Sequence, residues 1–262
     1  TNDGSIHDGS KTFTWCDTNS ATNGGNQGTC GTGSGSTATD TEAFIKALND
    51  AKFGGFTDWR IPTPKELATI MNRSQHSPLI NTTWFSNSLV SGNWSSMSNA
   101  HESNNAWHTG GDGDFGGNNK STAYPLRAVR SQPGEDRYIN NNDGTVTDSA
   151  KGLMWQQTTA TGRLWEAALS YAEGLTLAGF DDWRLPNIIE LQSLVNYNRY
   201  NPASDAAAFP NSDSNYWSST TYTDSYADAW GIYFYEGHVG NTSKSGSLYA
   251  VRTVRGGQNR IP

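Results

Sequence analysis

Gly179-Phe180-Asp181-Asp182-Trp183-Arg184-Leu185-Pro186-Asn187-Ile188-Ile189-Glu190-Leu191 decides how this chain is read, because the same stretch stands earlier as Gly55-Phe56-Thr57-Asp58-Trp59-Arg60-Ile61-Pro62-Thr63-Pro64-Lys65-Glu66-Leu67. Each version ends in a helix start. Thr63 or Asn187 is a good N-cap, Pro64 suits the first helical position, and Glu66 or Glu190 completes a capping box. Working outward, Trp94-Ser95-Ser96 recurs as Trp217-Ser218-Ser219, and Ala106-Trp107 as Ala229-Trp230. Arg127-Ala128-Val129-Arg130 recurs as Arg252-Thr253-Val254-Arg255. Upstream, Asn2-Asp3-Gly4-Ser5-Ile6-His7-Asp8 matches Asn142-Asp143-Gly144-Thr145-Val146-Thr147-Asp148, and Trp15 follows the first at the spacing of Trp155 after the second. The offset is 140 at the start and 123 to 125 afterwards, so one insertion lies in the first copy. Five matches in one order exclude chance; the chain is one domain written twice, over 1–131 and 138–262.

Each copy has the same plan. A hairpin opens it, signalled by Asn-Asp-Gly and by the alternation of Thr145-Val146-Thr147. A helix follows, with Thr39-Asp40-Thr41-Glu42 as a capping box and Phe44, Ala47 and Leu48 as an apolar stripe in the first copy. Trp165, Ala168, Leu169 and Ala172 make the matching stripe in the second. After the Asp-Trp-Arg turn comes the second helix, then loops and short strands. The fold class is therefore α+β, with two helices, short antiparallel strands and long loops in each of two tandem domains.

Composition narrows the function. The 262 residues include 10 Trp, 11 Tyr and 9 Phe, too many for a disordered chain, and 28 Gly, which implies turn-laden loops. A net charge of -7 argues against nucleic acid as a partner. No apolar run is long enough to span a membrane. Cys16 and Cys30 fit neither a zinc site nor a CxxC pair, and a disulfide closing the inserted loop is the simple reading, the alternative being two buried thiols. A disulfide favours an exported protein. Neither HExxH, GxSxG nor a P-loop occurs, and no enzyme activity is expected.

The motifs NDGTVTD…GLMWQ, GFDDWRLPNIIEL, YWSSTTY and AVRTVRGG resemble the Lcl C-terminal domain family. The first copy resembles it through GFTDWRIPTPKEL and NWSSM, and departs from it at LRAVRSQ, which lacks the closing glycine pair. The resemblance implies bacterial surface or secreted proteins, among them a collagen-like adhesin that binds host sulfated polysaccharide. WRLP…EL and VRGG are also similar to the formylglycine-generating-enzyme branch of the C-type-lectin-like fold, which implies tandem domains of that fold. Formylglycine generation would need a cysteine pair near the end of the fold, and both cysteines here lie in the first 30 residues.

Residues common to both copies are expected to serve the fold. Asp58 and Asp182 are expected to bond local backbone, Arg60 and Arg184 to form ion pairs, and Trp59 and Trp183 to anchor the core. Ligand binding is then sought where the copies diverge, in the loops after Trp94 and Trp217. In the second copy the candidates are Asn215, Tyr216, Tyr222, Asp224, Tyr226, Tyr233, Tyr235, Glu236 and His238, with Tyr233 and Tyr235 on one face of a strand running through 230–235. Tyrosine rings beside amides and carboxylates suit the apolar face and hydroxyls of a sugar, and equally suit a protein-binding surface. In the first copy the spacing of Asp112, Asp114 and Asn118 offers oxygen ligands for calcium, the alternative being a glycine-rich turn. The leading expectation is an extracellular or cell-surface binding protein of adhesin type, its partner a glycan or a cell-surface protein. The alternatives are a self-associating structural subunit of a surface appendage or layer, and a receptor diversified by a retroelement.

Overall fold

Capping residues place the helices in a computed structural model of the chain, which describes residues 4–5, 8–74, 80, 83–85, 92–134, 137–210, 212 and 214–256. These divide into two units, Thr1–Pro133 and Gly134–Pro262. Asn2, Asp3, Ile6 and His7 of the opening repeat lie outside the described residues.

In the first unit, α1 (Thr41–Asp50) begins at Asp40, whose carboxylate accepts from the Ala43 amide at 2.9 Å. The expected box with Glu42 is not formed; Glu42 instead accepts from the amide and hydroxyl of Thr18, at 2.8 and 2.7 Å. Phe44, Ala47 and Leu48 bury the predicted stripe. Helix α2 (Pro64–Thr69) starts with the Thr63–Glu66 box intact. Strands β1 (Asn93–Ser98), β2 (Asn105–Thr109) and β3 (Phe115–Asn119) pair antiparallel in sequence order. Instead of an opening hairpin, the described residues around Phe13 form isolated bridges to Tyr124 and Asp40.

The second unit opens with β4 (Tyr138–Asn140), β5 (Thr145–Asp148) and β6 (Leu153–Gln156), and the predicted hairpin is β5–β6. Then come β7 (Ala160–Arg163), α3 (Trp165–Glu173) and α4 (Ile188–Gln192), the last capped by the Asn187–Glu190 box. The remaining strands are β8 (Asn215–Thr221), β9 (Asp228–Tyr233), β10 (His238–Ser243), β11 (Tyr249–Val251) and β12 (Val254–Gly256). β10, β9, β8, β11 and β7 lie side by side, with β8 and β11 parallel; β12, β6, β5 and β4 form a separate antiparallel sheet.

The shared residues bond to one another. Arg60 grips Glu66 through both guanidinium nitrogens at 2.7 and 2.5 Å, and Arg184 grips Glu190 at 2.7 and 2.6 Å. Each glutamate is also the one that caps its helix, so a single carboxylate ties the turn to the helix. Asp58 and Asp182 do more than bond nearby backbone as expected: they reach the last segment of each unit and pair with Arg130 and with Arg255 on β12, at 2.7 and 2.6 Å. The same arginines lie 3.2 Å from the Phe56 ring and 3.6 Å from Phe180, so one guanidinium is held by charge and by a ring face. Ser95 and Ser218 donate to the carbonyls of Trp107 and Trp230, both at 2.8 Å. Trp183 is buried, as expected of an anchor, whereas Trp59 is only half-buried.

One equivalence differs from the sequence match. Trp15 stands where Trp165 stands, not where Trp155 does. The indoles of Trp15 and Trp165 donate to the carbonyls of Ser95 and Ser218 at 2.9 and 2.8 Å. Lys120 lies 4.3 Å from the first ring and Lys244 4.2 Å from the second. Trp155 sits on β6 between Val146 and Val254, and the described residues of the first unit contain no counterpart of that sheet. The inserted loop is the cause. Trp165 is the first residue of α3, but Trp15 is separated from α1 by the stretch that Cys16 and Cys30 close into a disulfide. Thr41 spans that gap by bonding both the amide and the carbonyl of Cys16, each at 2.9 Å.

Candidate functional site

The turn between β9 and β10 builds a partly exposed aromatic cluster in the second unit. Phe234 is buried and pins the turn to the core, while Tyr233 on one side of it is 43% exposed. Gly237 closes the turn with φ +98°; a Cβ there would stand 2.7 Å from Val195 Cγ1, so only glycine fits. The tyrosines therefore share a turn, not the single strand expected over 230–235, since β9 ends at Tyr233. Their rings still stack, with centroids 5.8 Å apart and planes 22° from parallel.

A third ring completes the cluster, and sequence reasoning missed it. The loop after α4 bonds to the turn, Asn201 N–H to the Tyr235 carbonyl at 2.6 Å and Ala203 N–H to that of Phe234 at 2.7 Å. This brings Tyr200, 47% exposed, edge-on to Tyr235 at 6.5 Å. The available signal was an aromatic residue immediately before an Asn-Pro turn.

Polar groups border the rings. Asn215, Tyr233 and His238 are register partners across β8, β9 and β10, so their side chains stand abreast on one face. His238 Nε2 lies 2.9 Å from a Glu236 carboxylate oxygen. Asn215 Oδ1 is buried and accepts no hydrogen bond from the described residues, an unmet acceptor that costs about 1–3 kcal/mol unless a ligand or water donates to it.

The other predicted residues lie elsewhere. Tyr216 is in the core, with its hydroxyl on Thr159 and its ring edge-on to Phe234 at 5.2 Å, because the pleat turns it away from Asn215. Tyr222, Asp224 and Tyr226 occupy the loop at the far end of β8, roughly 20 Å away along the strand. There Tyr222 packs edge-on to Trp230 at 5.2 Å and Tyr226 is 73% exposed. The nine residues thus fall into one cluster, one separate loop and one core side chain. The first copy has Gly110, Gly111, Asp112, Gly113 and Asp114 in place of the tyrosine turn and Gly92 in place of Asn215.

The proposed calcium ligands do not converge. Asn118 lies on β3 and spends its amide on Tyr124 OH at 2.7 Å and on Asn119 N–H at 2.7 Å. Asp112 and Asp114 share the β2–β3 turn without it. Loss of water around Asp114, and next the neighbouring Asp112 charge, push its carboxyl up to about 6, with Arg73 pulling the other way. Among the described residues no group of three or more His, Cys, Asp or Glu side chains is arranged to hold a metal ion.

The family model for the Lcl C-terminal domain matches the chain twice, over residues 4–130 and 144–255. A comparison with curated proteins finds no significant match.

Proposed function

The chain belongs to the Lcl C-terminal domain family and carries its domain twice; from that premise we propose that it is a non-catalytic, adhesin-like binding protein that acts outside the cell and recognises a neutral glycan through the second copy. The tandem units are read as lectin-like domains, in keeping with the resemblance of their motifs to that fold. The observation that carries the proposal is the Tyr200, Tyr233 and Tyr235 platform beside the unmet acceptor of Asn215. Pyranose rings stack their apolar face on such rings, and a sugar hydroxyl is the donor that Asn215 Oδ1 lacks. Glu236 at the rim and the net charge of -7 favour a neutral sugar over a sulfated one. The Cys16–Cys30 disulfide supports an oxidising location.

Calorimetric titration of the full chain with neutral oligosaccharides, in chelator, tests the reading. Binding is expected without calcium, and Tyr235→Ala is expected to weaken it about tenfold through loss of the stack. Absence of saccharide binding, or binding that Tyr235→Ala leaves unchanged, overturns it.

A further inference from the structure

The equivalence of Trp15 and Trp165 reveals a surface that one copy covers and the other leaves open. In the first copy the disulfide loop lies over the indole. Lys120 directs its ammonium to the carbonyls of Asn23 and Asn26, at 3.0 and 2.5 Å, and to Ser98 Oγ at 2.8 Å. An ammonium has three donors, and here all three are met. Gly28 lies against the ring at φ +82°: a Cβ at that position would stand 2.3 Å from the Trp15 carbonyl oxygen, 3.1 Å from Trp15 Cε3 and 3.2 Å from Lys120 Cβ, so backbone conformation, the Trp15 main chain and the ring together require glycine. Trp15 is completely buried as a result.

The second copy keeps the indole and the lysine and lacks the loop. Lys244 donates to Thr221 Oγ1, which stands in the place of Ser98, and to the Tyr226 carbonyl, both at 2.9 Å. Among the described residues no third acceptor meets it. Trp165 is only half-buried, and Leu164 and Tyr226 beside it are 42% and 73% exposed. The first copy shows what chemistry fits this socket: a main-chain carbonyl for the ammonium and a side-chain-free stretch of backbone for the indole.

We propose that Trp165, Lys244 and Tyr226 form a docking site for a glycine-bearing turn segment of a partner protein, which lays one carbonyl on Lys244 and its glycine on the Trp165 face. This site is separate from the tyrosine platform and does not depend on it. It takes the place that the inserted loop occupies in the first copy, so the two units differ in whether they supply this segment themselves.

The probe is a synthetic peptide of residues 16–30 closed by its own disulfide, added to the full chain labelled with 15N in its tryptophans. The Trp165 indole resonance, assigned with Trp165→Phe, is expected to shift on titration. Lys244→Met in the chain, and Gly28→Val in the peptide, are each expected to weaken binding about tenfold, the cost of one charged hydrogen bond or of losing the ring contact. The peptide variant leaves the chain untouched and so keeps the test valid should Lys244→Met disturb folding. Tyr235→Ala is expected to leave the titration unchanged. A Trp165 resonance that does not move in excess peptide overturns the proposal. So does a shift that survives both Lys244→Met and Gly28→Val, or one that Tyr235→Ala abolishes. Movement of Trp165 with neutral oligosaccharide but not with peptide would identify a glycan surface and refute a polypeptide partner.

Discussion

Replacing Asp114 by asparagine is expected to stabilise the first unit near neutral pH and to change little near about pH 4. The carboxyl sits in the β2–β3 turn, partly stripped of water and close to Asp112, and its proton affinity is raised from 3.8 to about 6. The native unit therefore holds this proton more tightly than the unfolded chain does. The stability that follows is fully present below the unfolded value of 3.8 and is lost as the pH rises through about 6. At about 1.4 kcal/mol per decade of proton affinity, the gap sets a ceiling of roughly 3 kcal/mol. Asp114 keeps part of its hydration, so about 1–2 kcal/mol is the working expectation, or roughly 3–6 °C in the melting temperature of a unit this size. Asparagine reproduces the shape of the protonated carboxyl without the charge. Calorimetry of the full chain and of Asp114→Asn at steps between about pH 4 and about pH 8 should show two melting curves that coincide in acid and separate in favour of the variant as the pH rises. A variant less stable than the parent at neutral pH would mean that the attraction of Arg73 outweighs desolvation and Asp112, and would refute the reasoning. A separation independent of pH would refute it equally, because the effect would then owe nothing to the proton.

Gly237→Val puts a branched side chain into a left-handed turn and against Val195, and should destabilise the second unit by about 2–4 kcal/mol in urea unfolding while removing saccharide binding. Glu190→Gln removes both the bidentate partner of Arg184 and the charged half of the α4 cap, and about 1–3 kcal/mol should be lost in the same assay. Its counterpart Glu66 has a carboxyl held below its usual range by Arg60 and the Thr63 amide against the opposing effect of burial, so its contribution is present above 4.5 and should fade on further acidification, as an acid-induced drop in melting temperature absent from Glu66→Gln. Cys16→Ser opens a loop with a sequence separation of 14, and roughly 3 kcal/mol should be lost, with Trp15 fluorescence shifting red as the covering loop loosens.

Local signals were legible where the partners are close in sequence. Thr63 with Glu66 and Asn187 with Glu190 form their boxes because a cap needs only three residues in the right order. The stripe of Phe44, Ala47 and Leu48 is buried because helical period alone puts those residues on one face. The tyrosines were harder. Alternation extended β9 through Tyr235, yet Phe234 enters the core and Gly237 reverses the chain, so the strand stops at Tyr233. Tyr216 was indistinguishable from its exposed neighbours in composition, and the pleat alone turned it inward. Tyr200 joined the cluster through two main-chain hydrogen bonds to a turn more than thirty residues away in sequence; the Asn-Pro after it marks a turn and does not say what that turn meets.

The sequence by itself determined that one domain is written twice, which of its residues are common to both copies, and where one copy carries an insertion. Those facts follow from order and identity alone. Only the tertiary structure decided what the common residues hold together. It paired Asp58 with Arg130 and Asp182 with Arg255 across the length of each unit, and it seated Trp15 in the place of Trp165 although its spacing from the Asn-Asp-Gly motif matches that of Trp155. The physical reason is that the Trp15 and Trp165 indoles settle where a carbonyl and a lysine meet them, contacts made across the fold that no local pattern of residues specifies.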